Sequence, residues 1–197
     1  VRTADGREIK FQVDMKLERE YREETRFVIQ GGAAPMTDPL VINFGTGATG
    51  ISGSTHLFDL NGDGQAHNLP YLARGSGYLA LDRDGDGVIS NGLELFGPAT
   101  GNGFDELAAF DEDQNNWIDE GDSIFDQLQI WIKFDDHNEQ LISLRQAGIG
   151  ALYVEGLDLR FSYKDNENQT MAQNRSTGVF LREDGSVGTI QQIDVKA

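Results

Sequence analysis

Apolar and polar positions in this chain change register every few residues. No apolar stripe is long enough for an extended helix. Short apolar runs bounded by Gly, Pro, Asn and Asp predict strands at 39–44, 77–82, 128–134, 151–163, 178–183 and 187–195. "REDGSVG" supplies a hairpin turn between the last two. Near the start, Ile9, Phe11, Val13, Met15 and Leu17 alternate onto one face, and Asp5-Gly6 is a good two-residue turn, so a β-hairpin is expected there. "GGAAPMTDP" then breaks all periodicity and reads as a linker. Short helices are expected at 103–110 and 120–128, with a third starting at Ser143 as N-cap. Strands and short helices mix without a βαβ repeat. The expected fold is α+β: a β-rich single domain, 38–197, with short helices flanking calcium loops, preceded by a hairpin and linker, 1–37.

Charge narrows the function. The 197 residues carry a net charge of −17, which argues against nucleic-acid phosphates and anionic membranes as partners. Basic residues are abundant only in 1–30; residues 101–140 hold twelve carboxylates and one basic side chain, Lys133. A chain so rich in Asp and Asn favours hard cations. The absence of cysteine removes disulfides, thiolate metal sites and cysteine nucleophiles. No apolar run is long enough to span a membrane. No signal peptide begins this stretch, Val1 is not an initiator, and the chain reads as a segment of something longer.

Two stretches carry the spacing of a calcium loop, which takes oxygens from positions 1, 3, 5, 7, 9 and 12. In "DEDQNNWIDEGD" these are Asp111, Asp113, Asn115, the Trp117 carbonyl, Asp119 and Asp122. Asn116 stands at the sharp turn of position 6, where Asn tolerates left-handed backbone better than most residues. In "DRDGDGVISNGLE" they are Asp82, Asp84, Asp86, the Val88 carbonyl and Ser90, with Gly87 at the turn. Glu94 closes this loop one residue late, and Asn91-Gly92 can absorb the extra residue. A third stretch, "DLNGDGQAHNLP", offers Asp59, Asn61 and Asp63 but ends on Pro70, so a partial site and a bare turn stay open. "DDHNE" and "DNEN" read as surface turns. The expectation is two calcium ions, with a third possible.

Other chemistry is thin. His56, His67 and His137 share no spacing and read as solvated loop residues. No serine nucleophile elbow, P-loop or GxGxxG occurs. Trp117, Phe125, Trp131 and Phe134 read as core. Asp38 precedes Pro39. An aspartate can attack its own main-chain carbonyl, closing a five-membered anhydride and expelling the next nitrogen; proline leaves best because its tertiary amide is more easily protonated. A folded site could drive this by orientation and electrostatics.

From Asp38 onward the chain resembles the self-processing module of RTX (repeat-in-toxin) proteins and related large secreted bacterial calcium-binding proteins. "DPLVI", "FDLNGDG", "GYLALDRDGDGVISNGLELFG", "NGFDELAAFDEDQNNWID" and "LISLRQAGIGALYV" carry the likeness. The late glutamate belongs to that pattern. The resemblance implies calcium-triggered folding outside the cell and, in self-processing members, scission of the Asp-Pro bond, whose anhydride can couple to a lysine amine. By position, Asp38 would be the nucleophile and Pro39 the leaving residue. One departure matters: where those members carry a carboxylate-rich loop after the leading strand, 43–50 reads "NFGTGATG". The reading adopted from sequence is therefore a non-catalytic, calcium-stabilised module of a larger secreted RTX-like protein. The alternatives are a calcium-triggered module that cleaves Asp38-Pro39, and a dockerin-like partner-binding module.

Overall fold

The computed structural model describes residues 38–45, 50–165 and 167–195. The hairpin and linker expected over 1–37 lie outside these residues, as does most of "GTGATG". Eleven strands follow in chain order: β1 Leu40–Asn43, β2 Ile51–Phe58, β3 His67–Leu72, β4 Ser76–Leu81, β5 Trp117–Ile118, β6 Leu128–Asp135, β7 Asn138–Ser143, β8 Ile149–Tyr153, β9 Leu157–Lys164, β10 Thr170–Arg182 and β11 Val187–Val195. Nine form one antiparallel sheet in the order β5-β8-β10-β11-β1-β4-β6-β7, with β9 also paired to β10. β2 and β3 form a separate hairpin.

The central strands are buried on both faces, so their apolar residues run on without a polar alternate. Leu40 and Ile42, Leu79 and Leu81, and Ile130 and Ile132 point into one core, which helix α1 (Gly103–Ala108) covers with Phe104 and Leu107. Val41, Tyr78 with Ala80, and Trp131 point into the other, which the β2–β3 hairpin covers with Phe58, Leu69 and Leu72.

The expected fold class is overturned. Among the described residues the fold is nearly all sheet, curled into a half-barrel, with one α-helix, and no pair of helices flanks any acidic loop: α1, expected over 103–110, precedes 111–122, and only a single 3-10 turn follows it. Loop 82–94 leaves directly from β4, and loop 59–64 directly from β2. The helix expected over 120–128 shrinks to a single 3-10 turn, Phe125–Gln127, because Leu128 is drawn into β6 beside Leu81. At Ser143 the capping bonds do form: Gln146 N–H donates to Ser143 Oγ (3.1 Å) and Ser143 N–H to Gln146 Oε1 (2.9 Å). The turn then stops at Gly148, whose φ of 72° is left-handed, and Ile149 enters β8. The strand expected over 151–163 is split into β8 and β9. β2, β3 and β7 were not expected; their Gly, Ser, Asn, His and Gln content hides strands whose partners, not propensity, hold them.

Candidate functional site

Three loops share one backbone solution. In each, the first aspartate reaches across the turn: Asp59 Oδ2 accepts from Gly64 N–H (2.9 Å), Asp82 Oδ2 from Gly87 N–H (2.8 Å) and Asp111 Oδ2 from Asn116 N–H (2.8 Å). The residue four further on accepts from the second amide after it: Asp63 from Gln65, Asp86 from Val88 and Asn115 from Trp117, at 2.7, 2.8 and 2.7 Å. The fourth and sixth positions are left-handed in all three: Gly62 and Gly64, Gly85 and Gly87, Gln114 and Asn116. Glycine adopts that conformation freely, while in 111–122 Asn, and less comfortably Gln, must take it. Asn116 was expected to turn this way; Gln114 was not.

The loops part company at closure. In 111–122, Asp122 folds back so that Oδ1 accepts from Glu112 N–H (2.7 Å) and Oδ2 from Asp119 N–H (3.0 Å). These are the second and ninth loop residues. In 82–94, Glu94 does the same to the same two positions, Arg83 N–H (3.3 Å) and Ser90 N–H (2.7 Å). The longer side chain and the extra residue end in the same place. The extra residue is seated against loop 59–64: Gly92 N–H donates to the Asp59 carbonyl (2.8 Å), and a Cβ on Gly92 would overlap the Leu60 carbonyl. Only glycine fits. Loop 59–64 itself has no closing carboxylate and is the shelf on which 91–94 rests.

Charge gathers in both loops, with the closing carboxylate inside the cluster only in 111–122. Oxygens of Asp82, Asp84 and Asp86 lie within 4.8 Å of one another, as do those of Asp111, Asp113 and Asp122. Glu94, Asp119 and Asp122 are buried. Burial pushes the Asp122 carboxyl above its usual range, Asp113 and Asp111 push it the same way, and the N–H donors of Asp119 and Glu112 pull it back. At Asp82 the Gly87 N–H wins over partial burial and the carboxyl sits below its usual range. An oxygen-only cluster of this kind fits a hard cation, which would offset both the burial and the repulsion. The eighth residues anchor the loops in opposite cores, Ile89 in one and Ile118 in the other. Ile118 pairs with Leu152 of β8 and not with Ile89, so the two loops do not form the back-to-back pair of an EF-hand.

A second constellation lies at the start of β1. Asp38 is fully buried. Its Oδ2 receives Arg175 Nη1 (2.6 Å) and, more weakly, Gln192 Nε2 (3.4 Å). Its Oδ1 has no hydrogen-bond partner among the described residues. Burial pushes the Asp38 carboxyl up to about 6; Arg175 lowers it, Asp194 raises it, and the Gln192 hydrogen bond lowers it. The peptide that follows is clamped on both sides: Leu40 N–H donates to the Phe96 carbonyl (2.9 Å) and Ile193 N–H to the Pro39 carbonyl (3.1 Å). Gly97 lies so close that a Cβ would overlap the Asp38 carbonyl, and its own N–H donates to Glu106 Oε2 (2.9 Å) on α1. Segment 95–110, which joins the two acidic loops, thus lies directly against Asp38-Pro39. The bond is held in place by β10, β11 and this segment. Arg175, Gln192, Asp194 and Glu106 carry no sequence signal; only the sheet register assembles them.

The remaining sequence candidates fall out as follows. His56 is a correction: it is buried in β2, stacked on Tyr71 at 4.7 Å, and burial lowers its ring to about 4. His137 lies exposed in the β6–β7 turn. Asp135 and Asp165 cap surface turns, accepting from His137 N–H (2.8 Å) and Gln169 N–H (2.8 Å). Phe125 and Trp131 are core, while Trp117 is half-buried against Tyr153 (4.9 Å). No helix among the described residues is long and apolar enough to cross a membrane.

Comparison with known proteins agrees with a module. The chain is 31% identical over 177 residues to the iron-regulated protein FrpA of Neisseria meningitidis serogroup C, covering 80% of this chain. It spans only 15% of that relative's length. The SPM domain model matches residues 42–196, nearly all of the sheet and both closed loops, and the chain therefore belongs to the SPM-domain family.

Proposed function

We propose that this chain is a calcium-binding module of a larger secreted RTX-like protein, in which loops 82–94 and 111–122 each take one calcium ion. The observation that carries this reading is the shared closure. Two loops of different length bring a carboxylate to the same two amides, and each loop holds a cluster of three aspartates. The ligands would be Asp82, Asp84, Asp86, the Val88 carbonyl and Glu94, with Ser90 acting through water, and Asp111, Asp113, Asn115, the Trp117 carbonyl, Asp119 and Asp122. Calcium is abundant outside cells, and the ion would switch the chain from self-repelling to compact. The small share of FrpA that the chain spans supports a parent chain with further parts. Titration calorimetry with calcium chloride, with magnesium as control, tests the reading: two calcium sites are expected, and none would overturn it. The dockerin-like alternative loses support, since the loops are not borne on a matched helix pair.

A second reading has its own observation, the buried Asp38 with one oxygen held by Arg175 and the other unpartnered among the described residues. It is calcium-dependent scission of Asp38-Pro39. Oδ1 would attack the Asp38 carbonyl carbon, the C–N bond to Pro39 would break, and the proline nitrogen would leave as a secondary amine carrying a proton from solvent. Closure of loop 82–94 would reach the bond through Leu95, Phe96 and Gly97. Denaturing mass spectrometry after incubation in millimolar calcium decides it: a fragment starting at Pro39, absent in EGTA and in Asp38→Asn, supports scission, and an intact chain rejects it.

A further inference from the structure

β10 is a thirteen-residue strand with neighbours on both sides, and its ladder slips between Asn174 and Ser176 against both β11 and β9. Against β11, Arg175 is the extra residue. A bulge in a strand paired on both edges interrupts two ladders, and its use is to re-aim one side chain. Here the re-aimed side chain is a guanidinium that crosses β11 to Asp38, the residue that leads into β1 on the far side of that strand. The same guanidinium lies 3.9 Å from the buried carboxylate of Asp194, across from Gln173. Gln192, which faces β1 at Leu40, donates to Asp38 and to the Gly101 carbonyl (2.9 Å). Asp194 thus holds the guanidinium from one side and Asp38 occupies it from the other.

We propose, resting on the scission reading, that Arg175 is the residue that makes Asp38 a nucleophile: it grips Oδ2, fixes the carboxyl plane, and leaves Oδ1 to attack the main-chain carbonyl. As Oδ1 bonds to the carbonyl carbon, Cγ–Oδ2 becomes a double bond and the negative charge moves from the carboxylate to the main-chain oxygen. That charge collapses back as the bond to Pro39 breaks, and the nitrogen takes a proton from water. The product is the five-membered anhydride, which water opens to regenerate Asp38. The electrostatic role follows from burial. A carboxyl in this position would hold its proton, and the adjacent cation keeps enough of it ionised near neutral pH to act. The geometric role is separate: one planar guanidinium reaches both Asp38 and Asp194, and so fixes an orientation that the point charge of lysine does not.

The test compares wild type, Arg175→Gln and Arg175→Lys as the full chain in millimolar calcium chloride. Timed denaturing mass spectrometry reads cleavage, calorimetry reads calcium affinity, and carbon-13 NMR reads the Asp38 carboxyl titration. The proposal expects wild type to cleave, Arg175→Gln to be slower on the order of 100-fold, and Arg175→Lys to fall between them. Calcium affinity should be unchanged within about twofold, and the Asp38 midpoint should move up in Arg175→Gln. Wild-type cleavage with equally fast Arg175→Gln would overturn the role of Arg175 and leave scission standing. An intact wild type would overturn scission and the catalytic role with it; an upward shift of Asp38 in Arg175→Gln would then mark the contact as a purely structural ion pair. If Arg175→Gln loses calcium affinity, the arginine acts through folding and the proposal falls.

Discussion

Loops 82–94 and 59–64 start alike and end differently. Both follow a strand, both open with Asp-x-Asp/Asn-Gly-Asp-Gly, and both make the same side-chain-to-amide bonds. Only 82–94 has a carboxylate that returns to its second and ninth amides. The opening half of such a loop is local chemistry that six residues settle by themselves. The closing half is tertiary: Glu94 arrives only because Gly92 can lie against Leu60. The open loop is therefore support for the closed one, and the three loops are two sites and a shelf.

That comparison is broken most severely by removing calcium. Each site at a thousandfold excess over its Kd contributes about 4 kcal/mol, so thermal melts in EGTA and in millimolar calcium should differ by a large margin. Equal midpoints would mean that the loops are turns and nothing more. The next largest effect is expected from Gly92→Ala. Its Cβ meets backbone, which cannot swing aside, and overpacking of this kind costs about 1–3 kcal/mol. Calorimetry should show the 82–94 site weakened and the 111–122 site intact; loss of both would mean that they form one cooperative unit.

Glu94→Gln sharpens the comparison further. It keeps the shape and removes the charge, so one calcium site should weaken by tenfold or more, equivalent to about 1.4 kcal/mol, while the other holds. Two unchanged affinities would make Glu94 a bystander. Asp59→Ala should do less. It removes two exposed turn bonds at 3.1 and 2.9 Å, worth about 1 kcal/mol together in stability, and leaves the calcium stoichiometry as it was. A lost ion would promote 59–64 to a site closed from elsewhere in the chain.

The smallest effect on the loops is expected at Asp38, where pH separates the two constellations. The Asp38 carboxyl is raised in the fold from 3.8 to about 6. Its contribution to stability is therefore full below about pH 4 and lost as pH rises through about 6. The loop carboxylates act oppositely in calcium, since ligands must be ionised and binding strengthens as pH rises. In EGTA, Asp38→Asn should flatten the fall in stability between about pH 4 and 6. An unchanged slope there would show that Asp38 is not buried as described.

Much of this was legible in residue order. Strands buried on both faces, such as β1, β4 and β6, appear as unbroken apolar runs, and the acidic loops appear as ligand spacing. What was not legible is what the sheet register assembles. β2 and β3 contain too much Ser, Gly and His to look like strands, yet His56 stacks in a core with Tyr71 and Trp131. The turn at Ser143 has correct capping chemistry and still ends after one turn, because β8 claims Ile149. Helices were expected around the loops because the ligand spacing resembles that of an EF-hand; 111–122 does have α1 before it, while 59–64 and 82–94 leave from strands. Arg175 is one polar residue among several in "TMAQNRSTGVF", and only the bulge sets it apart.

The central claim is that closure, not the acidic opening, makes a site. Native mass spectrometry of the intact chain, titrated with calcium and with magnesium in excess, tests it most directly. Two calcium ions per chain are predicted, falling to one in Asp122→Asn and to one in Glu94→Gln, with Asp59→Ala unchanged at two. Three ions in the wild type, or a loss of one ion on Asp59→Ala, would contradict the account.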